Sequence, residues 1–342
     1  MVLQIWKDLK KLQVQPVYLL QGTETYLLQE TVKKILAAVL HEEEKEFNYS
    51  VYDMEETPIE TAMEDAETLP FMGEKRVVLL KNPYFLTGER KKEKIEHKVE
   101  TLEAYLKEPA PFTVLILLAP YEKLDERKKI TKLLKKQAEA VEVHALSEKE
   151  LFSWTASLAE AENRKISREA AERLAMLTNS NLMIMNQEIN KLCMYTAESE
   201  EITAETVDLL TARSLEQNIF DLIENTVSKN IPRAMAMLYD LLKTNEEPIK
   251  ILSLMVNQFR LILQVKQLSK TGYGQPQIAS VLKVHPFRVK LAQKQASLFA
   301  EEELSKILKR LAEADYEMKT GKMEKQLILE LFLLKLSQRP SA

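Results

Sequence analysis

Hydrophobic positions in the first 144 residues switch repeatedly between short apolar runs and helical spacing. Val17–Leu20 is an apolar run that stops at Gln21-Gly22, as a buried strand and its turn would. Leu28, Val32, Ile35, Leu36 and Val39 then share one face of a helix. Phe47, Tyr49 and Val51 alternate with polar residues and predict a second strand. Thr57-Pro58-Ile59-Glu60 has the form of a capping box with proline at the first helical position, which predicts a helix start. Arg76–Lys81 contains Val-Val-Leu-Leu, a buried strand. Thr87 opens a highly charged segment in which Ile95, Val99, Leu102 and Leu106 predict a helical stripe. Thr113–Leu118 gives the strongest buried-strand pattern in the chain. Asp125 is placed to cap a helix bearing Ile130, Leu133 and Leu134, and Val141–Val143 closes the series. Five strands separated by helices predict a parallel sheet covered on both faces.

The alternation ends near His144, and the remaining pattern is helical. Ser147-Glu148-Lys149-Glu150 is a capping box, Thr203 can cap a further helix, and Pro232 and Pro248 stand where helices begin. The segment 147–211 holds about four helical stretches, enough for a small satellite domain. Helices continue from Arg213. The long one at Pro248–Leu268 buries Ile251, Leu252, Met255, Phe259, Ile262 and Leu263, and the last carries Leu327, Leu331, Leu334 and Leu336. The expected division is an α/β domain at 1–144, a helical satellite at 145–212 and an all-α domain at 213–342.

Composition narrows the functional classes. A chain of 342 residues with 45% hydrophobic and 29% charged residues is an ordinary multidomain globular protein. Its net charge of −4 excludes a globally basic nucleic-acid binder but leaves room for a local basic face. Cys193 is the only cysteine, the N-terminus MVLQIWKDLKK has no long apolar core, and no apolar run is long enough to span a bilayer. A reducing, cytoplasmic setting is expected. Four histidines (His41, His97, His144, His285) show no metal-ligand spacing; His41 and His97 fall in charged stretches and are expected to be solvated.

An α/β domain followed by helices suggests a P-loop ATPase, and its chemistry can be looked for at two places. The pattern G-x-x-x-x-G-K-[ST] is needed because backbone amides curl round the phosphates, a lysine meets their charge and a hydroxyl binds Mg²⁺. Counted from Gly22, the positions for glycine, lysine and hydroxyl hold Leu27, Leu28 and Gln29. The acidic pair expected at the end of a central strand is also missing, because Leu80 is followed by Lys81-Asn82 and Leu118 by Ala119-Pro120. No intrinsic cofactor, metal site or catalytic residue is expected.

Three segments carry candidate binding chemistry. In Leu69-Pro70-Phe71-Met72 a helix gives way to consecutive apolar residues stiffened by proline. They are either core residues joining helix to strand or a projecting apolar wedge that fills a partner's pocket. Arg127, Lys128, Lys129, Lys132, Lys135 and Lys136 form a basic run, either a solvated helix face or a contact to phosphates, with Arg127, Lys128 and Lys132 the candidates. Residues 277–290 resemble a helix-turn-helix in which Lys283 replaces the glycine often found in the turn.

Taken together, YLLQGTETYLLQE (18–30), TLPFMGEKRVVLL (68–80), NSNLMIMNQEINKL (179–192), SLEQNIFDLIENTVSKN (214–230), the run from Pro248 to Phe259, HPFRVKLAQKQA from His285 and the ending ADYEMKTGKMEKQLILELFLLKL (314–336) resemble the delta subunit of the bacterial DNA polymerase III clamp loader. The likeness runs over the whole chain, with motifs in family order. It implies an AAA+-like fold without a working ATP site, a satellite domain, and a C-terminal collar that holds the chain in a five-subunit ring. It also implies that Leu69, Pro70, Phe71 and Met72 enter a pocket on the ring-shaped sliding clamp, which the subunit opens for placement on primed DNA. ATP and Mg would be used by the tau/gamma motor subunits, with delta-prime as a further partner and no membrane involved. The alternative is a DNA-binding regulator reading a major groove with 277–290, although His285-Pro286-Phe287-Arg288 offers only one good base reader.

Overall fold

The computed structural model describes residues 5–6, 8–9, 11, 13–71, 73–88, 95–197 and 200–338. They fall into two compact units, Met1–Ala145 and Leu146–Ala342. The first contains β1 (Val17–Gly22), α1 (Thr25–Val39), a one-turn α2 (Lys45–Asn48), β2 (Tyr49–Asp53), α3 (Ile59–Ala66), β3 (Arg76–Lys81), α4 (Val99–Tyr105), β4 (Thr113–Ala119), α5 (Lys129–Gln137) and β5 (Glu139–Val143). All five strands pair in parallel in the order β2-β3-β4-β1-β5, an AAA+-like α/β sheet. The central strands are nearly continuous apolar runs because helices cover both of their faces. Leu19, Leu80, Leu115 and Leu117 pack with Ile59 and Met63 of α3 and with Leu102 and Leu134. Leu28, Val32, Ile35 and Leu36 of the expected α1 stripe are buried, together with Leu27, whereas Val39 is only half-buried.

Several helix starts differ from the sequence expectation. Pro58 is the N-cap of α3 rather than its first helical residue, and Thr57 does not cap it. The Ile59 N–H instead donates to His97 Nδ1 at 3.2 Å, while His97 Nε2 lies 2.9 Å from the Met54 carbonyl. His97 is thus a half-buried structural group packed on Tyr84 and Phe85, not a solvated one. Thr87 opens no helix. Its hydroxyl donates to the Tyr84 carbonyl and ends the short 3₁₀ turn Tyr84–Leu86, and regular helix begins only at Val99. Residues 89–94 of that expected helix lie outside the described residues. Asp125 accepts the Arg127 N–H in a tight turn, so α5 starts at Lys129 with Lys128 as its N-cap. Phe47 belongs to the α2 turn, not to the strand.

The second unit contains α6 (Glu148–Ala161), β6 (Lys165–Ile166), α7 (Arg168–Leu177), α8 (Leu182–Tyr195), β7 (Glu201–Ile202), α9 (Ala204–Leu210), α10 (Leu215–Val227), α11 (Ile231–Lys243), α12 (Pro248–Lys270), α13 (Gln275–Leu282), α14 (Pro286–Ala296), α15 (Glu301–Thr320) and α16 (Lys325–Ser337). Ser147 and Glu150 form the expected capping box, Thr203 caps α9, and Pro232 and Pro248 sit at helix starts. The expectation of helix alone is corrected by a two-residue parallel ladder between β6 and β7, too short to leave a period. Its Ile166 and Ile202 are buried. The main core surrounds α12, where Phe259 meets Phe299 and Phe332 edge-on.

Candidate functional site

The connection from α3 to β3 is anchored before it projects. Thr68 Oγ1 donates to the Glu64 carbonyl at 2.8 Å, closing the last turn of α3. Arg76 is buried at the start of β3, and its Nη1 donates to the Asp65 and Thr68 carbonyls at 2.9 Å each. Its Nη2 lies 3.1 Å from Asp65 Oδ1. One guanidinium therefore satisfies carbonyls that a helix C-terminus leaves open, with a charge of the favourable sign. Beyond this fixed point Leu69 is 71% exposed and Phe71 77% exposed, so neither is a core residue. Pro70, half-buried, stiffens the backbone between them. The Phe71 N–H donates to Oδ1 of Asn48 at 2.9 Å, and Asn48 is itself wholly buried. The Phe71 ring stands 5.4 Å from Phe47, tilted by 36°. At Gly73 the backbone adopts φ +73°, and a Cβ there would run into the Glu44 carboxylate. Met72 lies outside the described residues.

Of the core and wedge readings, the exposure of Leu69 and Phe71 excludes the core. The sequence pattern points to Phe47 and Arg76 only as strand residues and to Asn48 and Glu44 not at all. Asn48 lies 23 residues from Phe71 along the chain, a separation to which no periodicity is sensitive.

The corner after β1 differs from a phosphate loop in length as well as in residue type. Only Thr23 and Glu24 separate β1 from α1, too few to curl amides round a phosphate. Leu27 and Leu28 are buried in the core and Gln29 is exposed. Glu24 occupies the helix N-cap, placing an acid where an anion would otherwise sit. Burial pushes its carboxyl up, with the Tyr26 amide opposing. Gly22 has φ +145°, and the Thr23 N–H donates to the Val143 carbonyl at 3.2 Å. At the C-terminal ends of β2 and β3, Asn82 Nδ2 donates to Asp53 Oδ2 at 2.9 Å.

The basic run is largely engaged. Arg127 binds both oxygens of Asp125 at 2.9 Å, holding that carboxyl down at about 2. Lys128 Nζ donates to the Phe85 carbonyl at 2.7 Å, Lys129 pairs with Glu103, and Lys135 pairs with Glu126 at 2.6 Å. Lys132 is exposed.

The segment 277–290 does fold as two short helices, α13 and α14, with Lys283 in the left-handed region at φ +52°. Ile278, Ala279, Val289 and Ala292 bury against Leu261 and Val265 of α12. The expected base reader, Arg288, lines a cavity of about 160 Å³ together with Glu216, Leu254, Asn257 and Gln258. Burial pushes its pKa down, against the pull of Glu216. Lys290 pairs with Glu148 at 2.8 Å and Lys294 with Glu224 at 3.1 Å. Lys290 and Lys294 are thus paired with acids and Arg288 is half-buried at a cavity rather than presented on an open face, against the regulator reading.

Over 339 residues, 99% of the chain, it is 60% identical to DNA polymerase III subunit delta of Bacillus subtilis (strain 168), matching 98% of that protein. The chain belongs to the DNA polymerase III delta subunit family. The family model for the delta subunit matches residues 18–144, and that for the C-terminal domain of the delta subunit matches 216–336. A model described as a middle domain matches 147–209. A probable DNA polymerase III subunit delta from Aquifex aeolicus (strain VF5) is 23% identical over 75% of this chain and 72% of its own. Among solved structures, the Bacillus subtilis DNA clamp loader delta protein superposes with a TM-score of 0.86 at 60% identity, covering 99% of this chain and 100% of that one. Membership in the delta family makes this a clamp-loader subunit associated with DNA replication. No helix among the described residues is long and apolar enough to cross a membrane.

Proposed function

We propose that this chain binds the ring-shaped sliding clamp through Leu69 and Phe71, with Pro70 and Met72 beside them, and opens it for loading on primed DNA. The observation that carries the reading is the exposure of two large apolar side chains, 71% and 77%, on a loop tied at both ends by buried groups. Apolar anchors held on a stiff backbone are what a partner's pocket selects, because little freedom is lost on binding. Opening follows if the tip binds a sprung clamp interface more tightly than a closed one, since a ligand shifts an equilibrium only by its differential affinity.

In this reading 1–144 carries the tip, 145–212 is the satellite, and 213–342 is the collar that joins the tau/gamma and delta-prime subunits. ATP and Mg act on the motor subunits, and this chain hydrolyses none itself, in keeping with Leu27, Leu28 and Glu24 at the phosphate corner. Of the candidate phosphate contacts Arg127, Lys128 and Lys132, Lys132 is the best placed within a complex, because the other two are engaged by Asp125 and Phe85.

The test is the double variant Leu69→Ala/Phe71→Ala, measured for clamp binding by surface plasmon resonance and for thermal melting. Two hot-spot anchors contribute about 2 kcal/mol or more each, so affinity falls roughly a thousandfold. Melting stays unchanged because neither side chain is buried. Clamp binding at the parental affinity would place the contact elsewhere.

A further inference from the structure

We infer that Phe47 and Asn48 belong to the clamp-binding surface, Asn48 as the positioning residue for Phe71 and Phe47 as a second aromatic flank of the tip; this rests on the reading that Leu69 and Phe71 engage the clamp. Asn48 is wholly buried, yet its Oδ1 reaches out to the backbone N–H of a residue whose side chain is 77% exposed. A buried amide spent on an exposed loop fixes that loop, because leaving the oxygen without a donor would carry a desolvation cost. The bond fixes the backbone at Phe71, and so the direction in which the ring leaves the surface.

Phe47 adds a different element. It is 48% exposed, and its ring lies 5.4 Å from that of Phe71 at a tilt of 36°. Neither ring is buried by the contact. The two rings form one aromatic face, shared by the α2 turn and the loop that also carries the exposed Leu69. A contiguous exposed apolar face of this kind marks an interaction site rather than a core. The short α2 turn that bears Phe47 and Asn48 also follows directly on Glu44, against which Gly73 closes the far end of the loop. The tip is therefore built from two segments of the chain, and the partner that fits it is the one Leu69 and Phe71 already address. Its pocket must accept Phe71 while its rim lies over Phe47.

The experiment measures affinity of the full chain for the purified clamp, with melting temperature as control, for Phe47→Ala, Asn48→Ala and each of these combined with Phe71→Ala. Phe47→Ala is expected to weaken binding about three- to tenfold at an unchanged melt. Asn48→Ala is expected to weaken it about five- to tenfold. In the Phe71→Ala background Asn48→Ala should change affinity by no more than about twofold, because it acts through that ring, whereas Phe47→Ala should keep part of its loss, because its own ring meets the rim of the pocket. Equal losses in both backgrounds would reduce Asn48 to a general structural role and overturn its part. Should Asn48→Ala melt early, binding and exchange of the Phe71 amide are read at a temperature where the variant and the parent are both folded; a Phe71 amide that exchanges as slowly as in the parent overturns the positioning role. Parental binding by Phe47→Ala and Asn48→Ala beside a weakened Phe71→Ala would sink this inference and leave the wedge standing. Parental binding by Phe71→Ala would sink the wedge itself.

Discussion

At Gly22 the backbone holds φ +145°, and a Cβ placed there would stand 1.8 Å from the Val143 carbonyl oxygen. The contact is to backbone of the paired strand β5, so it cannot be relieved by turning a side chain. Gly22→Ala should destabilise the first unit by about 3 kcal/mol or more, through strain and overpacking together. A fall in melting temperature with unchanged melting of the second unit would show it; a parental melt would refute the strain. The sequence marked Gly22 as the end of a strand, but not its reason, because Val143 of β5 lies far along the chain. Leu69 and Phe71 show the same limit. Their apolar character was legible, while burial or exposure depended on Arg76 and Asn48, whose role is visible only in three dimensions.

Helix boundaries divide according to where the capping acceptor comes from. Ser147 and Thr203 cap from within their own turn, so four residues of sequence suffice to find them. Thr57 and Asp125 look alike in sequence but are not used, because His97 supplies the acceptor for α3 and Arg127 engages Asp125. His285 caps α14 by accepting the Phe287 N–H on Nδ1 at 3.2 Å, which requires the neutral ring. Burial holds its folded-state pKa below the ordinary 6.5, with the Leu146 carbonyl and Glu148 opposing. The sign follows from linkage. As pH falls through about 6.5 the unfolded chain takes up a proton that the folded chain resists. The contribution of His285 is therefore whole above that range and declines below it. Melting of the second unit should fall between about pH 7.5 and pH 5, and His285→Asn, which keeps a capping oxygen, should flatten the slope. An equal slope in the variant would assign the effect to other groups.

At the scale of the molecule, the count of five strands and the change to helix near residue 144 were legible, because periodicity records them directly. The strand order was not, since hydrogen bonding between distant strands leaves no trace in a local pattern, and neither was the β6–β7 ladder. The unbroken sheet beside a two-residue corner at Thr23-Glu24 leads to a prediction for the whole chain. Calorimetry with Mg-ATP should detect no binding at micromolar concentration, whereas a micromolar isotherm would contradict the account of Glu24, Leu27 and Leu28. The loop bearing Phe71 feeds the N-terminal end of β3, while the corner at Gly22 leaves the C-terminal end of β1, so the two lie at opposite ends of parallel strands. Traction on Phe71 along the strand direction is carried by β3, which is hydrogen-bonded on one side to β2 and on the other to β4. Bonds loaded that way must slip together, whereas bonds at a peeled edge fail one after another. The tip is mounted like a hook on the end of a beam, and the beam meets the strain in shear.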